Sequence, residues 1–511
     1  MATAAGPETP PPPPPATEPA PEPATASPAA ADRQPAPCGD VEAGAKTGLA
    51  PSCRRQHTAA LMAHGWSMCV GAATAWTSPA LPVLMGHRVH TEDETVRARV
   101  SLDEASWMAA LFPLGALLAG PAAGAVARAL GRRGALLALA PPTAAAWLLL
   151  AWAGQQALLV HAGRFLIGVS WGLSATIVPM YCSEIADKRC RGRLNAYAYP
   201  ASVLGHVWVC ALGTCLPYLW YSAACAGLPL LALAGLWWAP ESPVHLAEVG
   251  RHEEAWHVVR WLRGGSPLVD PKPELEAALA AVNALDEDRT RFAWGMLAEP
   301  KIARALALCL GVQLFQLTCG VNAFVFYTTQ IFEGVGIVPS GNVCSVVLTV
   351  AHFIGAVCST KMLSRMPRRP FLLVSAVGMA LGQAGFGLYS YYYRYGYDVK
   401  TWAWTPTLSI GVFYIFHSMG FGPLPGVFMG EILPAHVKPW AIPTIAFFAR
   451  TVASTLAKEV PIFIDVCRHH VVFGMFFGGF SALGAIFVFF FVPETKLKSP
   501  ASNKKSTESN R

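Results

Sequence analysis

The chain has 511 residues, of which 53% are hydrophobic and only 14% are charged. Because a soluble globular protein carries about 25% charged residues, this composition excludes an ordinary soluble domain and indicates a polytopic membrane protein. The formal net charge of +7 comes from basic residues in short loops between apolar runs, where they orient a membrane protein and are not a nucleic-acid footprint.

The first 55 residues are rich in Pro and Ala and include a run from Pro10 to Pro15. Such a segment cannot bury a packed core, so we expect a disordered cytoplasmic tail over 1–55. The start has no basic residues followed by an apolar core, and therefore does not predict a cleavable signal peptide. A second disordered tail is predicted at 497–511.

Twelve apolar stretches of about 20 residues or more lie between these tails, and each is long enough to cross a bilayer as a helix. They are predicted at 57–85, 104–127, 134–153, 157–183, 194–216, 219–240, 302–330, 342–363, 370–393, 404–432, 440–464 and 469–492. A polar insert at 241–300 indicates a helical cytoplasmic linker domain. The sequence therefore predicts an all-α polytopic membrane protein with six-helix bundles at 56–240 and 301–496.

Basic residues concentrate in the loops that follow the second, fourth, eighth and twelfth spans. They are Arg128, Arg132, Arg133, Lys188, Arg189, Arg191, Arg193, Lys361, Arg365, Arg368, Arg369, Lys496 and Lys498. Short loops rich in Lys and Arg stay on the cytoplasmic side. With an even number of spans, both termini are then cytoplasmic, and we expect a multi-pass protein of the plasma membrane.

The two halves of the chain repeat three charged motifs in the same order. The matching positions are Arg132-Arg133 with Arg368-Arg369, Glu184 with Glu431, and Glu241 with Glu494. Internal repeats of this kind are typical of transporters whose halves are related by an axis along the membrane normal. The repeats therefore predict two similar bundles.

The seventh span carries the amides of Gln313, Gln316 and Asn322 within an apolar run. Amides in hydrocarbon are costly unless they are paired. Gly320 lies between them, where a membrane helix can loosen. Two interpretations stay open: the amides bond across a helix bundle, or they line a cavity for a solute that carries hydroxyl groups.

Several motifs follow one another in an order that is specific to one family. They are Gly163–Gly168, Pro179–Ile185 with Arg191 and Gly192, Pro240–Pro243, Gly422–Pro425 with Glu431, and Pro493–Lys496. Over about 57–496 the chain resembles the sugar-porter branch of the major facilitator superfamily, and within it the arthropod facilitated trehalose transporters and animal glucose facilitators. The resemblance implies the major facilitator fold and transport by alternating access.

The resemblance also implies a cytoplasmic charge network that closes the inner gate when the site faces outward. Its members are Arg132, Arg133, Arg164, Glu184, Arg191 and Glu241 in the first half, and Arg365, Arg368, Arg369, Glu431 and Glu494 in the second. Charged groups at membrane depth need such partners. Several positions depart from the family pattern, namely Arg128, Val244, Ser364 and Pro367, so we expect a loosened outward-facing state.

For the solute, the resemblance implies that Gln316 and Asn322 bind sugar hydroxyls and that Tyr327 lies near the outer gate. Tyr199, His352 and Arg450 replace a glutamine, an asparagine and a tryptophan of the family pattern, and they are further candidate binding residues. Leu317 and Gly426 depart from it as well. An arginine near mid-membrane costs about 2.5–3.5 kcal/mol on insertion scales, so Arg450 should find a partner or line water.

These patterns favour a uniporter for a sugar such as trehalose or glucose. Family proton symporters carry a carboxylate in the first helix, whereas 57–85 contains none and the matching position is Ala72. Three alternatives stay open: a non-transporting sugar sensor, a carrier for an anionic solute that uses Arg450, and a proton-coupled symporter that uses His352. No nucleotide-binding loop, nucleophile–base arrangement or metal-ligand spacing occurs, so neither an enzyme nor a cofactor is predicted.

Overall fold

The computed structural model describes residues 53–86, 100–153, 156–187, 189–265, 299–333, 340–434, 436–467 and 470–495, with seven positions between 272 and 280 and Val335. Every regular element in these residues is a helix. Residues 1–52 of the first predicted tail, the whole of the second, and most of the later part of the 241–300 insert lie outside the described residues, as do Lys188, Lys496 and Lys498.

The first half folds into six consecutive helical spans, four of which are divided by a short break. The helices are Arg54–Ala75 (α1), Thr77–Leu84 (α2), Leu102–Ala119 (α3), Ala123–Leu130 (α4), Arg132–Trp152 (α5), Ala157–Ile185 (α6), Arg191–Ala196 (α7), Ala198–Cys215 (α8), Tyr218–Cys225 (α9) and Gly227–Trp237 (α10). They reproduce the first six predicted spans.

Two short helices open the insert, and six further spans follow it. The helices are Pro243–Glu248 (α11), His252–Leu262 (α12), Pro300–Thr318 (α13), Val321–Glu333 (α14), Gly341–Arg365 (α15), Arg368–Arg394 (α16), Thr405–Met419 (α17), Leu424–Ile432 (α18), Lys438–Cys467 (α19) and His470–Phe491 (α20). Within the described residues, ten helical spans are long and apolar enough to cross a membrane. The all-α polytopic prediction is confirmed, while the exact domain limits stay predictions.

The two halves pack on each other mainly through α2 on α14, α8 on α15, and α3 on α19. We call the end of the molecule that carries Arg132 and Arg368 the basic end, and the opposite end the distal end.

In the first half, a glycine forms the turn between two helices at the basic end. Gly131 adopts φ +80° between α4 and α5, a conformation that glycine reaches without steric cost, and it places Arg132 in the first turn of α5.

The seventh span is broken between its amides. Helix α13 ends at Thr318 and α14 begins at Val321, because Gly320 adopts φ +86°. The carbonyl of Cys319, at this break, accepts a hydrogen bond from Gln383 Nε2 at 2.5 Å. This hydrogen bond gives the carbonyl a partner, which lipid could not provide. The expectation that the helix loosens at Gly320 is confirmed.

Replacing Gly320 by alanine should destabilise the second half. An added Cβ would lie 2.6 Å from the Phe477 ring, in a backbone conformation that L residues rarely adopt. We expect the free energy of unfolding to fall by about 1–3 kcal/mol, measured by thermal unfolding in detergent. Gly479→Ala is the matched control, since its Cβ would meet no atom within 4 Å. Equal stability of the two variants would contradict this account.

Candidate functional site

Polar contacts between the two halves begin at the distal end. Ser78 Oγ lies 3.2 Å from Thr329 Oγ1 and 3.3 Å from Ser345 Oγ. Thr214 Oγ1 donates to the carbonyl oxygen of Asn342 at 3.4 Å. These contacts hold α2 and α8 against α14 and α15 at this end.

Deeper in the same interface lies a group of aromatic and imidazole rings from both halves. Tyr199 Oη is 3.0 Å from His352 Nε2 and 3.2 Å from His417 Nδ1. The His206 ring lies 5.6 Å from the His352 ring, and Tyr414 stacks on His352 at 4.7 Å. We call Tyr199, His206, His352, Tyr414 and His417 the histidine cluster. It joins α8 of the first half to α15 and α17 of the second.

The histidine cluster holds hydrogen-bonding groups that its own residues leave unused. The Nδ1 atoms of His206 and His352 and the Nε2 atom of His417 are buried and make no hydrogen bond with the residues that the structure describes. A buried polar group without a partner costs about 1–3 kcal/mol. A bound polar molecule that pairs with these three nitrogens would therefore remove this cost.

The Tyr199 hydroxyl couples the tautomers of two histidines. It has one hydrogen, so it donates to one neighbouring imidazole and accepts from the other. If both imidazoles are neutral, one of His352 and His417 must carry its hydrogen toward Tyr199 and the other away from it. In either arrangement, one of the two nitrogens that face away from Tyr199, His352 Nδ1 and His417 Nε2, is a hydrogen-bond donor and the other is an acceptor. That combination matches a hydroxyl group, which can both donate and accept.

The amides of the seventh span reach the same junction. Gln316 Nε2 donates to the carbonyl oxygen of Gly422 at 3.1 Å, and Gln313 Nε2 donates to Gln316 Oε1 at 2.6 Å. A Cβ on Gly422 would lie 2.2 Å from Tyr199 Oη. Gln316 and the histidine cluster thus meet at the break between α17 and α18. Asn322 is half-buried on α14.

The other two candidate binding residues make contacts elsewhere. Tyr327 is buried and its hydroxyl donates to the carbonyl oxygen of Ala457 at 2.6 Å. The Arg450 guanidinium lies 5.4 Å from the ring centroid of Trp171, on the opposite half. Its Nη1 donates to the carbonyl oxygen of Ala446 at 3.4 Å. Arg450 is therefore held by an aromatic face and a carbonyl.

Helix α19 uses the same face for two more contacts with the first half. Ser454 Oγ donates to the carbonyl oxygen of Ala110 at 2.9 Å. The Lys458 ammonium lies 4.4 Å from the ring centroid of Trp107. Arg450, Ser454 and Lys458 are four residues apart, so they share one flank of the helix.

A charge cluster occupies the basic end of the first half. Arg132, 1% exposed, lies 2.9 Å from Glu184 Oε2 and 2.8 Å from Glu248 Oε2. Its Nη1 is also 2.9 Å from His245 Nδ1. Glu241 accepts hydrogen bonds from the backbone amides of Arg133 and Gly134 at 2.9 and 3.1 Å. Glu241 thus sits at the positive end of the α5 dipole.

The second half repeats this arrangement. Arg368 Nη2 lies 3.2 Å from Glu431 Oε1. Glu494 accepts from the backbone amides of Arg368 and Arg369 at 2.8 and 3.1 Å. The first turn of α16 therefore carries the same acid cap as the first turn of α5. The side chain of Arg365 lies outside the described residues.

The family model for sugar (and other) transporters matches residues 61–502. This chain belongs to the sugar (and other) transporter family. The facilitated trehalose transporter Tret1 of Drosophila mojavensis is 33% identical over 444 residues, which are 87% of this chain and 50% of that protein. Tret1 of Polypedilum vanderplanki is 32% identical over 450 residues, or 87% and 86% of the two chains. The chain spans about half the length of the Drosophila relative.

Solved structures agree with this membership. The partially occluded, inward open conformation of the xylose transporter XylE from E. coli aligns with a TM-score of 0.71 and 19% identity, covering 87% of this chain and all of that one. The likeness confirms the major facilitator fold, with two six-helix bundles. As a member of the family, the chain is a multi-pass membrane protein.

Two residues assigned to the charge network lie apart from it. Arg164 is buried, and it donates to the carbonyl oxygens of Met108 and Ala73 at 2.8 and 2.6 Å. At 1.5 Å per residue, the twenty residues of α6 between Arg164 and Glu184 span about 30 Å. The expected place of Arg164 in the network is therefore wrong. Arg191 is exposed and joins neither charge cluster within the described part of the chain.

Sequence reasoning missed several residues of these clusters. Glu248 and His245 belong to the short helix α11 directly after Pro240–Pro243, and they were overlooked because the family motif stops before them. His206 and His417 were missed as single histidines in apolar spans. Titratable residues in the middle of such spans are a signal in themselves.

Removing the arginine at the centre of the first charge cluster should destabilise the protein strongly. Arg132→Met leaves Glu184 and Glu248 without their cation, which costs about 3–5 kcal/mol for a buried pair. Arg251→Met is the matched control, because Arg251 and Glu254 form an exposed pair at 2.6 Å, with side chains 57% and 54% exposed. Such pairs contribute about 0–1 kcal/mol. Thermal unfolding in detergent measures both, and similar losses would refute the structural role.

Proposed function

We propose that this protein is a uniporter that moves a sugar, such as trehalose or glucose, down its gradient by alternating access. The proposal is carried by the histidine cluster, where buried imidazole nitrogens between the two bundles have no hydrogen-bond partner among the described residues. The names of the facilitated trehalose transporters at about 32% identity support the choice of sugar.

The contacts between the bundles support an inward-facing state. At the distal end, Ser78 and Thr214 bond to the second bundle. At the basic end, Arg132 pairs within the first bundle and Arg368 within the second, and no ion pair joins the bundles among the described residues. We place the basic end in the cytoplasm and the protein in the plasma membrane. When the distal end opens, the two charge clusters approach each other.

In this mechanism, sugar hydroxyls pair with the open nitrogens of His352 and His417 and with the amides of Gln316 and Asn322. Tyr199 and Gln316 also contact Gly422, at the break between α17 and α18. A sugar bound here would therefore change which arrangement of α17 and α18 is favoured. A ligand shifts a conformational equilibrium only through contacts that differ between the two states. Contacts to both bundles meet that requirement.

The first span supports movement without proton coupling. Residues 54–84 contain no Asp or Glu, and Ala72, which stands where proton symporters of the family carry a carboxylate, is fully buried. A carboxylate that could exchange protons during transport is therefore missing from this span.

Tyr199→Phe should weaken sugar uptake while it preserves the ring. Loss of the hydroxyl leaves His352 and His417 without their shared partner and removes the tautomer coupling, at about 1–3 kcal/mol. We expect uptake at low sugar concentration to fall roughly 5- to 150-fold, measured with labelled trehalose and glucose in vesicles. Tyr197→Phe is the matched control, since its hydroxyl lies 2.9 Å from Nδ1 of His57, in the same bundle. Equal loss in both variants would contradict a special role for Tyr199.

A second uptake experiment separates the uniporter from the alternatives. We expect trehalose or glucose to enter vesicles at a rate that an imposed pH gradient does not change, and Gln316→Ala and Asn322→Ala to abolish this uptake. Acceleration by a proton gradient would instead support symport through His352. Sugar binding without flux would support a sensor.

A carrier for an anionic solute is the second candidate, because Arg450 is held by Trp171 and a carbonyl, and no carboxylate of the described residues pairs with it. Arg450→Gln discriminates between the two. A neutral sugar should still be carried, whereas transport of an organic anion should be lost. Retained anion transport in this variant would exclude Arg450 as the counter-charge.

A further inference from the structure

Two cysteine thiols meet at the basic end of the first bundle. The Sγ atoms of Cys53 and Cys190 lie 2.7 Å apart. Cys53 precedes the first residue of α1 and is half-buried, whereas Cys190 precedes the first residue of α7 and is buried. Within the described residues, no group of three or more metal-ligating side chains forms, so the pair is not part of a zinc-type site there.

The backbone segments that carry the two thiols are tied together one helical turn away. Gln56, three residues after Cys53, accepts a hydrogen bond from the backbone amide of Asp187 at 2.9 Å. Asp187 lies three residues before Cys190. The same Gln56 side chain donates to the carbonyl oxygen of Leu262 at 3.2 Å, and it is fully buried. The two sulfurs are thus held in reach of each other by groups other than themselves, which favours reaction between them.

We propose that Cys53 and Cys190 form a reversible disulfide when hydrogen peroxide or an organic peroxide oxidises the pair. With the basic end in the cytoplasm, the resting state is the dithiol, because the cytosol keeps thiols reduced. The disulfide is then a transient modification that cellular thiols reverse by exchange.

The two sulfurs take different roles in the reaction because Cys53 is more exposed than Cys190. The peroxide O–O bond breaks at the more accessible Cys53 sulfur, leaving a sulfenic acid and one molecule of water or alcohol. Burial and the adjacent Cys53 raise the pKa of Cys190 to about 11, so this thiol keeps its proton until that step. Its sulfur then attacks Cys53 Sγ; the S–S bond forms, the S–O bond breaks, and the hydroxyl leaves with the proton of Cys190 as water.

The cross-link would join helices that already touch along their length. His57 Nδ1 lies 2.9 Å from Tyr197 Oη, and His64 Nε2 lies 2.9 Å from the carbonyl oxygen of Leu194. A disulfide adds a covalent tie between α1 and the α7–α8 span, which carries Tyr199. We expect the oxidised protein to transport more slowly, an effect that rests on the proposed function, whereas formation of the cross-link does not.

The test treats the full chain in membranes with hydrogen peroxide, blocks remaining thiols by alkylation, and maps linked peptides by mass spectrometry. We expect a Cys53–Cys190 peptide pair that dithiothreitol separates. Cys53→Ser and Cys190→Ser should each lose it. Cys215→Ser and Cys358→Ser should retain it, since these cysteines are exposed and lie elsewhere. Gln56→Ala keeps both thiols and should slow formation of the link.

The proposal is overturned if peroxide oxidises Cys215 and Cys358 while Cys53 and Cys190 both remain open to alkylation. It is also overturned if Cys53 forms its link to another cysteine in the wild-type chain. If the Cys53–Cys190 link forms but uptake does not change, the disulfide stands and only its predicted effect on transport is wrong.

Discussion

Hydrocarbon offers no partner to a buried hydrogen-bonding group, and this constraint decides where the two bundles of the protein can meet. Each polar side chain inside a span either pairs within the chain or carries a penalty of about 1–3 kcal/mol. Most of them pair: Gln383 caps the carbonyl left by the Gly320 break, and Gln316 bonds to Gly422. Some polar atoms have no partner among the described residues, such as Tyr221 Oη, Tyr389 Oη and Arg450 Nε. The histidine cluster differs because it gathers three such nitrogens where the two bundles meet. A transporter needs such unsatisfied groups, since a fully paired interface would have nothing to gain from a solute.

The basic end obeys the same constraint in another form. Arg132 is almost completely buried, yet it is surrounded by two carboxylates and an imidazole. Glu241 and Glu494 use the unpaired amides of a helix N-terminus in both bundles. Each cluster is complete within its own bundle, so the bundles can separate at this end without leaving a charge unpaired. The distal contacts cross between the bundles, and opening that end has to break them.

Much of the fold follows from the sequence because apolar length is a local property. The twelve spans and the Gly320 break could be predicted without tertiary contacts. The pairs Glu184 with Arg132 and Glu431 with Arg368 follow from repeated motifs, but the part played by Glu248 does not, because α11 folds back onto α5 only in three dimensions. Arg164 was misplaced because motif membership says nothing about depth, although counting residues along α6 separates it from Glu184. Two members of the histidine cluster, Tyr199 and His352, were predicted as binding residues. Their meeting with His206, Tyr414 and His417 could not be predicted, since the five residues come from three helices in two bundles.

The spacing of Arg450, Ser454 and Lys458 has a mechanical consequence. Two of these three side chains meet the first bundle through a cation over an aromatic face, a contact that needs the cation within about 6 Å of the ring centroid. Hydrogen bonds such as those of Ser78 lose strength quickly when the groups tilt. A small rotation of one bundle against the other about the flank of α19 would therefore keep these two contacts, while the hydrogen bond of Ser454 to Ala110 would limit its extent. The hydroxyl contacts of Ser78 and Thr214 at the distal end would have to break during such a rotation.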